Sequence, residues 1–340
     1  LVPIYIRDEA VRDDFYKGIR TVITVHNIEY QGRYGRETLE DLFGLDRGWF
    51  DGGTIEFSGD VNLLKGAIVT ADAVTAVSPT YAQELKYAYF AHGLENVMNM
   101  NARKLHGVLN GIDMQRYDPA HDKNLAASYS PGDLAGKQAD KAALQRMLGL
   151  QERADTPVLA MVSRLVSHKG LDLVCETLDS FMQKDVQLVV LGKGDAKYET
   201  FFNYACRRYG GRMAVHLGYS EELAMQIYAG ADLFLMPSKS EPCGLSQMIA
   251  MRYGAVPIVR ETGGLKDTVH AYEAWNGQGN GFTFANYNAG DMCHVICEAI
   301  DLYHNNKDAY AALQKRGMTA DFSWTRSAQE YRRIYKSICR

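Results

Sequence analysis

The chain has 340 residues, of which 46% are apolar and 23% charged, and this composition excludes a disordered or fibrous protein. The length predicts two domains, because single hydrophobic cores seldom grow beyond about 250–300 residues. The 41 acidic and 37 basic residues leave a net charge of −4, which argues against a nucleic-acid partner and against a polybasic membrane surface. An anionic ligand would have to be bound by a local cluster of cations.

Six cysteines are spread along the chain without a CxxC pair, which is typical of a protein from a reducing compartment. No apolar run reaches the roughly 20 residues that span a bilayer. Acidic residues follow the N-terminus too closely for a signal peptide. We therefore expect a cytoplasmic protein without a membrane partner, and no spacing of histidine, cysteine or acidic residues predicts a metal site.

In chain order, the first predicted strands are residues 21–27 and 72–77. Ser78 and Pro79 then predict a helix start, with serine as N-cap and proline in the first helical position. Two strands cannot form a parallel sheet that is covered on both faces. We therefore expect the first domain to be incomplete.

From residue 157 onward, short runs rich in Val, Ile and Leu alternate with segments of helical length. The alternation predicts repeated βαβ units, a parallel sheet covered on both faces and thus a doubly wound α/β domain. The predicted strands are residues 157–163, 186–192, 213–218, 231–237 and 255–260. The predicted helices are residues 170–184, 196–210, 220–230, 244–253, 289–304 and 307–317. The whole chain is predicted to comprise an incomplete first domain (1–110), a polar linker (111–135), a second domain (136–320) and a final amphipathic helix (321–340).

Ligands bind at the carboxyl ends of the strands in open α/β sheets, so the residues after each predicted strand are the candidate site. Arg164 and Lys169 follow the strand 157–163 and suit a diphosphate, since arginine binds phosphate oxygens in a fork and lysine adds a point charge. An ordinary solvated loop is an equal alternative. Gly192 ends the next predicted strand, where a tight turn is the favoured explanation. Tyr219 has the ring to stack on a base, and a rim tyrosine without that role is the alternative.

Glu241 comes at the tip of the loop after the strand 231–237, where its carboxylate would accept hydrogen bonds from sugar hydroxyls. A glutamate that caps the helix near Gly244 is the alternative, slightly favoured without further context. The free N–H groups of residues 244–247 favour phosphate. A third glycine-rich turn at 261–267 again opens a helix. We expect Lys169 and Glu241 to be exposed.

His26 and Asn27 end the first predicted strand. A lone histidine is more often structural than catalytic, but a position at the carboxyl end of a strand favours a function.

Six segments, taken together and in order, resemble the pattern of bacterial glycogen synthases and plant starch synthases: VHNIEYQG, TAVSPTYAQEL, GVLNGID, VSRLVSHKGLDLV, SEPCGLSQMIAMRYGAVPIVRETGGLKDTV and DFSW. The resemblance extends over about residues 20–335. It implies an α/β protein of the GT-B fold, with two Rossmann-like doubly wound domains facing a cleft. The implied reaction is transfer of glucose from ADP-glucose to the non-reducing end of an α-1,4-glucan with retention of configuration, and no cofactor is implied.

The resemblance also implies roles for individual residues. Arg164 and Lys169 would hold the diphosphate of ADP, Glu241 would contact the donor glucose, and Tyr219 would contact adenine. His26, with Asn27, would lie against the reacting sugar from the acceptor-side domain. The remaining donor-binding residues implied are Gly192, Cys243, Gly244, Leu245, Ser246, Gly263 and Gly264.

Two departures from the family pattern are evident. Many retaining GT-B enzymes have a second glutamate where this chain has Ile249, so that contacts to the ribose must come from elsewhere. The Lys-Thr-Gly-Gly-Leu loop and the HDWH segment of the family do not precede His26, so the resemblance implies a synthase that lacks its opening portion. The alternatives are a fragment that binds ADP or glucan without turnover, and a related GT-B enzyme that uses UDP-glucose. A plant or algal source would imply a plastid, and oligomerisation is left open.

Overall fold

The computed structural model describes residues 1–339, and Arg340, the end of the predicted final helix, lies outside them. The chain forms two compact units. The first consists of Leu1–Asn110 together with the residues from Ser327 onward, and the second is Gly111–Arg326.

The first unit contains two small sheets. Its strands are β1 (Val22–Val25), β2 (Arg33–Tyr34), β3 (Glu56–Phe57), β4 (Asp60–Asn62), β5 (Ala73–Ala76) and β6 (Leu105–Gly107). The parallel sheet has the order β1-β5-β6, and the antiparallel sheet has the order β2-β4-β3. Only β1 and β5 were predicted, since strands of two or three residues are too short to show an alternating pattern.

The helices of the first unit are mostly short. They are α1 (Val2–Arg12), α2 (Asp14–Lys17), α3 (Thr38–Asp41), α4 (Gly48–Asp51), α5 (Leu63–Thr70), α6 (Pro79–Glu84), α7 (Ala88–Ala91) and α8 (Glu95–Met100). The Ser78 side chain accepts a hydrogen bond from the N–H of Tyr81 at 3.1 Å, and Pro79 is the first residue of α6. The predicted helix start is thus confirmed.

The second unit is built on one parallel sheet. Its strands are β7 (Val158–Val162), β8 (Gln187–Gly192), β9 (Met213–Leu217), β10 (Leu233–Met236), β11 (Val256–Arg260) and β12 (Phe282–Phe284). The order is β12-β11-β10-β7-β8-β9, with Leu233 of β10 opposite Leu159 of β7. All six residues of β8 are buried, so both faces of the sheet are covered there, as predicted. The chain winds from β7 to β9 in one direction and then returns to extend the other side, which makes the sheet doubly wound.

Helices cover this sheet and include one that was not predicted, α9. They are α9 (Ala135–Met147), α10 (Leu171–Phe181), α11 (Ala196–Arg208), α12 (Glu221–Gly230), α13 (Ser246–Arg252), α14 (Gly263–Thr268), α15 (Ala289–Asn305) and α16 (Lys307–Thr319). The last helix of the chain is α17 (Trp324–Ile338). From Ser327 onward α17 belongs to the first unit, where Ile334 packs against Ala73 and Val108.

The segment expected to be a linker, residues 111–135, instead packs within the second unit. The Asp140 carboxylate accepts hydrogen bonds from the N–H groups of Ala126 and Ala127 at 2.7 and 3.2 Å. The buried Tyr129 hydroxyl donates to the carbonyl of Tyr253 at 2.8 Å. The polar groups of this segment therefore serve hydrogen bonds to the domain rather than contact with solvent alone.

Two buried lysines attach helix α9 to the carboxyl ends of α12 and α13 and to Asp232, which precedes β10. The Lys137 ammonium donates to the carbonyls of Ala229, Ala231 and Tyr253 at 2.7–2.9 Å. Burial lowers the pKa of Lys137 to about 8. One turn later, Lys141 pairs with the buried Asp232 at 2.8 Å. Amphipathic helices usually bury apolar side chains, so two lysines on the buried face explain why α9 was not predicted.

The substitution Lys137→Met is expected to lower the free energy of unfolding by about 3 kcal/mol, because buried carbonyl oxygens lose their donor. Arg146→Met on the exposed side of α9 is the control; it breaks the exposed ion pair with Glu152 and should cost less than about 1 kcal/mol. Urea denaturation measures both. Equal losses in the two variants would contradict the role given to Lys137.

Gly170, which follows the 3₁₀ turn Ser167–Lys169, lies against the start of the loop that leaves β10. Its φ is +74°, and a Cβ atom there would lie 2.0 Å from the carbonyl oxygen of Pro237. Only glycine allows this approach. The turn after β7 and the loop after β10 are therefore in backbone contact.

Two glycines with the same backbone conformation test this contact. Gly149 has φ +69°, but no heavy atom within 4 Å of its Cβ position. Gly149→Ala should cost about 1–2 kcal/mol from the left-handed backbone alone. Gly170→Ala should cost about 1–3 kcal/mol more, since Pro237 must also move. Chemical denaturation gives both values, and equal costs would refute the proposed steric constraint at Gly170.

Candidate active site

The candidate site lies where the strand order of the second unit reverses. At that point β7 and β10 are neighbours in the sheet, although they do not follow each other in the chain. The connections that follow these two strands run to opposite faces of the sheet, which leaves a crevice at the carboxyl ends of the strands. α/β sheets bind ligands in such a crevice. The residues that follow β7 and β10 include Lys169 and Glu241.

Lys169 and Glu241 contact each other directly at this reversal. The Lys169 ammonium lies 2.6 Å from Oε2 of Glu241, which also accepts a hydrogen bond from the Ser238 hydroxyl at 3.0 Å. The side chains of Lys169 and Glu241 are only 16% and 10% exposed. The expectation that both are exposed is therefore wrong, because each covers the other.

Glu241 does not cap a helix. Helix α13 begins at Ser246, and its N-cap residue, Leu245, makes no side-chain capping bond. The capping alternative for Glu241 is therefore wrong. Its carboxylate is instead directed toward Lys169, where the two charges are held at hydrogen-bonding distance.

Three strand-end turns meet around Glu241. The N–H of Lys239 donates to the carbonyl of His168 at 2.9 Å, which joins the loop after β10 to the turn after β7. The turn after β11 comes equally close: Cβ atoms on Gly263 and Gly264 would lie 2.0 Å from Glu241 O and 2.1 Å from Cys243 O. The two glycines predicted as site residues are thus required for the backbone packing of this loop.

Gln247, which was not predicted as a site residue, binds the main chain of the same loop. Its side chain is fully buried and donates to the carbonyls of Cys243 and Gly244 at 3.2 and 2.8 Å. Cys243 is buried, whereas Leu245 is 45% exposed. Gln247 lies in the first turn of α13, where a side chain can reach back to the preceding loop. This contact could be predicted only if the start of the helix were known.

A pocket of about 380 Å³ opens beside these turns. The predicted residues that line it are Arg164, Gly192, Tyr219 and Ser246. Arg164 is exposed, and its Nη2 lies 3.4 Å from Nε2 of His168. Tyr219 is 86% exposed, so one face of its ring is available to a ligand. The structure thus places these residues at one pocket, although they come from four separate segments.

Further residues of the pocket wall were missed: Tyr117, Lys193, Glu221 and Tyr228. Ile249, the position where many retaining GT-B enzymes have a glutamate, also lines it. Glu221 is ion-paired with Arg116, the neighbour of Tyr117. Burial raises the pKa of Tyr228, whose hydroxyl is hydrogen-bonded to Ser246. Lys193 carries a recognisable signal, a cation directly after a strand. Tyr117 carries none, because it belongs to the segment that was expected to be a linker.

His26 and Asn27 belong to the first unit, at the carboxyl end of β1. His26 is exposed. The Asn27 side chain accepts a hydrogen bond from the N–H of Glu29 at 3.0 Å, so it stabilises the turn that follows β1. These two residues are therefore not among those that the second unit brings together.

Other chemistry-bearing features are sparse in residues 1–339. Within that range, no cluster of three or more His, Cys, Asp or Glu side chains has a geometry suited to a metal ion. None of the helices described there has the length and apolar character needed to cross a membrane. All six cysteines are free thiols.

Comparisons with known proteins agree with the resemblance of the six segments. Residues 1–100 match the starch synthase catalytic domain family, and residues 149–317 match glycosyl transferases group 1. A glycogen synthase of Bacillus cereus is 46% identical over 338 residues, which cover 99% of this chain and 71% of that protein. One from Geobacillus thermodenitrificans is 47% identical over 338 residues, covering 99% and 70%.

A solved structure gives the same result. The catalytic domain of starch synthase IV from Arabidopsis thaliana, bound to ADP and acarbose, superimposes with a TM-score of 0.88 at 35% identity. The match covers 94% of this chain and 67% of that one. This chain therefore belongs to the glycogen and starch synthase family, as a glucosyltransferase with the GT-B fold.

Proposed function

We propose that the protein transfers glucose from ADP-glucose to the non-reducing end of an α-1,4-glucan with retention of configuration. The observation that carries the proposal is the contact of Lys169 with Glu241 beside the pocket that Tyr219 lines. A cation suited to a phosphate and a carboxylate suited to a sugar lie together where α/β sheets bind ligands. The related starch synthase IV, which was solved with ADP and acarbose, supports a nucleotide and a glucan-like ligand.

We assign the departing diphosphate to Arg164 and Lys169. The bond that breaks joins C1 of glucose to a diphosphate oxygen, and its electron pair leaves with ADP. The bond that forms joins C1 to the 4-hydroxyl oxygen of the acceptor's terminal glucose, and the proton of that hydroxyl is released with ADP. The charge that develops there is stabilised most by cations that are already in position. Arg164 supplies a planar fork on the pocket wall and Lys169 a point charge. Because these side chains balance the charge, the proposal includes no metal ion and no cofactor.

The base and ribose are assigned to the pocket. Stacking of a base on the Tyr219 ring is worth about 1–3 kcal/mol. Ile249 makes the wall apolar at the position where many retaining GT-B enzymes have a glutamate. Polar side chains of the same pocket that could bind the ribose hydroxyls include Tyr117, Lys193 and Glu221.

The donor glucose is assigned to Glu241 and to the backbone of Gly263 and Gly264. Glu241 Oε2 accepts two hydrogen bonds, and we assign its other oxygen, Oε1, to sugar hydroxyls. A fixed carboxylate also stabilises the positive charge that develops on the sugar ring. His26 and Asn27 stay assigned to the reacting sugar from the first unit, on the resemblance alone. The cytoplasmic location also stays a proposal.

The direct test is glucose transfer by the 340-residue chain. Radiolabelled ADP-glucose and glycogen are incubated in the presence of EDTA, and the product is digested with β-amylase, which acts from non-reducing ends. We expect label in glycogen that β-amylase releases first. Faster transfer from UDP-glucose would overturn the donor assignment. Binding of ADP in calorimetry without any transfer would establish a binding module instead, and absence of both would refute the proposal.

The diphosphate assignment predicts the behaviour of Lys169→Ala. Loss of a positioned cation should lower kcat by about 100-fold or more. Lys184→Ala is the matched control, because it breaks another lysine–carboxylate pair, with Asp301 at 2.8 Å, on the exposed surface. It should retain the kcat of the unmodified protein. Steady-state kinetics on both folded variants makes the comparison, and near-normal kcat for Lys169→Ala would remove this residue from the site.

A further inference from the structure

Arg260, the last residue of β11, is a buried cation that the assigned site does not use. It is only 8% exposed, and its Nε has no hydrogen-bond partner among residues 1–339. Its guanidinium donates two hydrogen bonds from Nη1, to the carbonyls of Ser238 at 3.3 Å and Lys239 at 2.9 Å. The Tyr287 ring lies 5.7 Å from its Cζ.

This environment is a costly one for a charged side chain. Burial of a cation removes the water that stabilises its charge. Two carbonyl oxygens and one aromatic face replace only part of that stabilisation. An apolar residue of similar size would fill the same volume without that penalty. The contacts of Arg260 are therefore better explained by what they hold in place than by stability.

Those contacts lead directly to Glu241. The two carbonyls that Arg260 binds belong to consecutive residues, Ser238 and Lys239. The Ser238 hydroxyl donates to Glu241 Oε2 at 3.0 Å, and the Lys239 N–H donates to His168 O at 2.9 Å. One guanidinium thus fixes both the residue that orients the carboxylate and the residue that joins the loop to the turn of Lys169.

We propose that Arg260 is a positioning residue of the transfer reaction, which acts through Ser238 and Lys239 to hold the Glu241 carboxylate beside Lys169. The inference rests on the proposed function, since it assigns Arg260 a role through Glu241. Arginine suits the task because one planar group reaches both carbonyls while its face packs on Tyr287. Lysine keeps the charge but lacks the flat face that packs on Tyr287.

The test compares Arg260→Lys with Arg212→Lys. Arg212 is the matched control, because it also donates to main-chain carbonyls, those of Met182, Lys184 and Val186, but directly precedes β9 at the amino end of the sheet. Arg260→Lys should lower kcat about tenfold with little change in the KM for ADP-glucose, since a small displacement of a reacting group costs rate rather than donor binding. Arg212→Lys should leave both constants unchanged.

A double-mutant cycle shows whether the effect passes through Glu241. In a Glu241→Gln background, Arg260→Lys should cause no further loss of kcat, because the group it positions is already altered. Full additivity of the two losses would overturn the proposal, as would an unchanged kcat in Arg260→Lys alone. If Glu241→Gln itself had normal kcat, the proposed function of Glu241 would fail instead.

A second readout does not depend on turnover. Amide hydrogen exchange of residues 237–246 should be faster in Arg260→Lys than in the unmodified protein, and unchanged in Arg212→Lys. Unaltered exchange in this loop would overturn the positioning role even if the chain proved inactive. Faster exchange would support it independently of the reaction assigned to the site.

Discussion

The contact between Lys169 and Glu241 depends on one topological constraint, the reversal of strand order between β7 and β10. The two residues are 72 positions apart in the chain, and the reversal places their turns side by side. Opposite charges at 2.6 Å then meet in the crevice that the diverging crossovers open. The other features of the site either bring the backbone close enough for this contact or place a ligand pocket beside it.

Close backbone approach is the means by which the fold maintains that arrangement. Gly170, Gly263 and Gly264 each stand where a Cβ atom would lie about 2 Å from a carbonyl oxygen of a neighbouring turn. The buried side chains of Gln247 and Arg260 donate hydrogen bonds to main-chain carbonyls of the Glu241 loop. Hydrogen bonds to the main chain, rather than packing of side chains, therefore determine where the carboxylate lies, and such bonds tolerate little displacement.

Much of this could be predicted from the sequence. Strands β7 to β11 were recognisable as apolar runs without polar alternation, and their carboxyl ends indicated Arg164, Lys169, Tyr219 and Glu241. Strand β12, of three residues, was not predicted. The mutual burial of Lys169 and Glu241 could not be predicted, since it follows from strand order, which a single sequence does not reveal. Helix α9 was missed because it turns lysines toward the core. Tyr117 was missed because polar composition does not distinguish a free linker from a segment that hydrogen-bonds to its own domain.

The central claim is that Lys169 serves a diphosphate and that Glu241, its partner in the ligand-free protein, serves the sugar. If so, Glu241 competes with ADP for Lys169 and also repels its phosphates. Calorimetric binding of ADP to Glu241→Gln is the most direct measurement, because ADP carries the diphosphate but no glucose. The account predicts a Kd about tenfold lower than that of the unmodified protein, which corresponds to about 1.4 kcal/mol, close to one charge–charge interaction that water screens. An equal or higher Kd would contradict it.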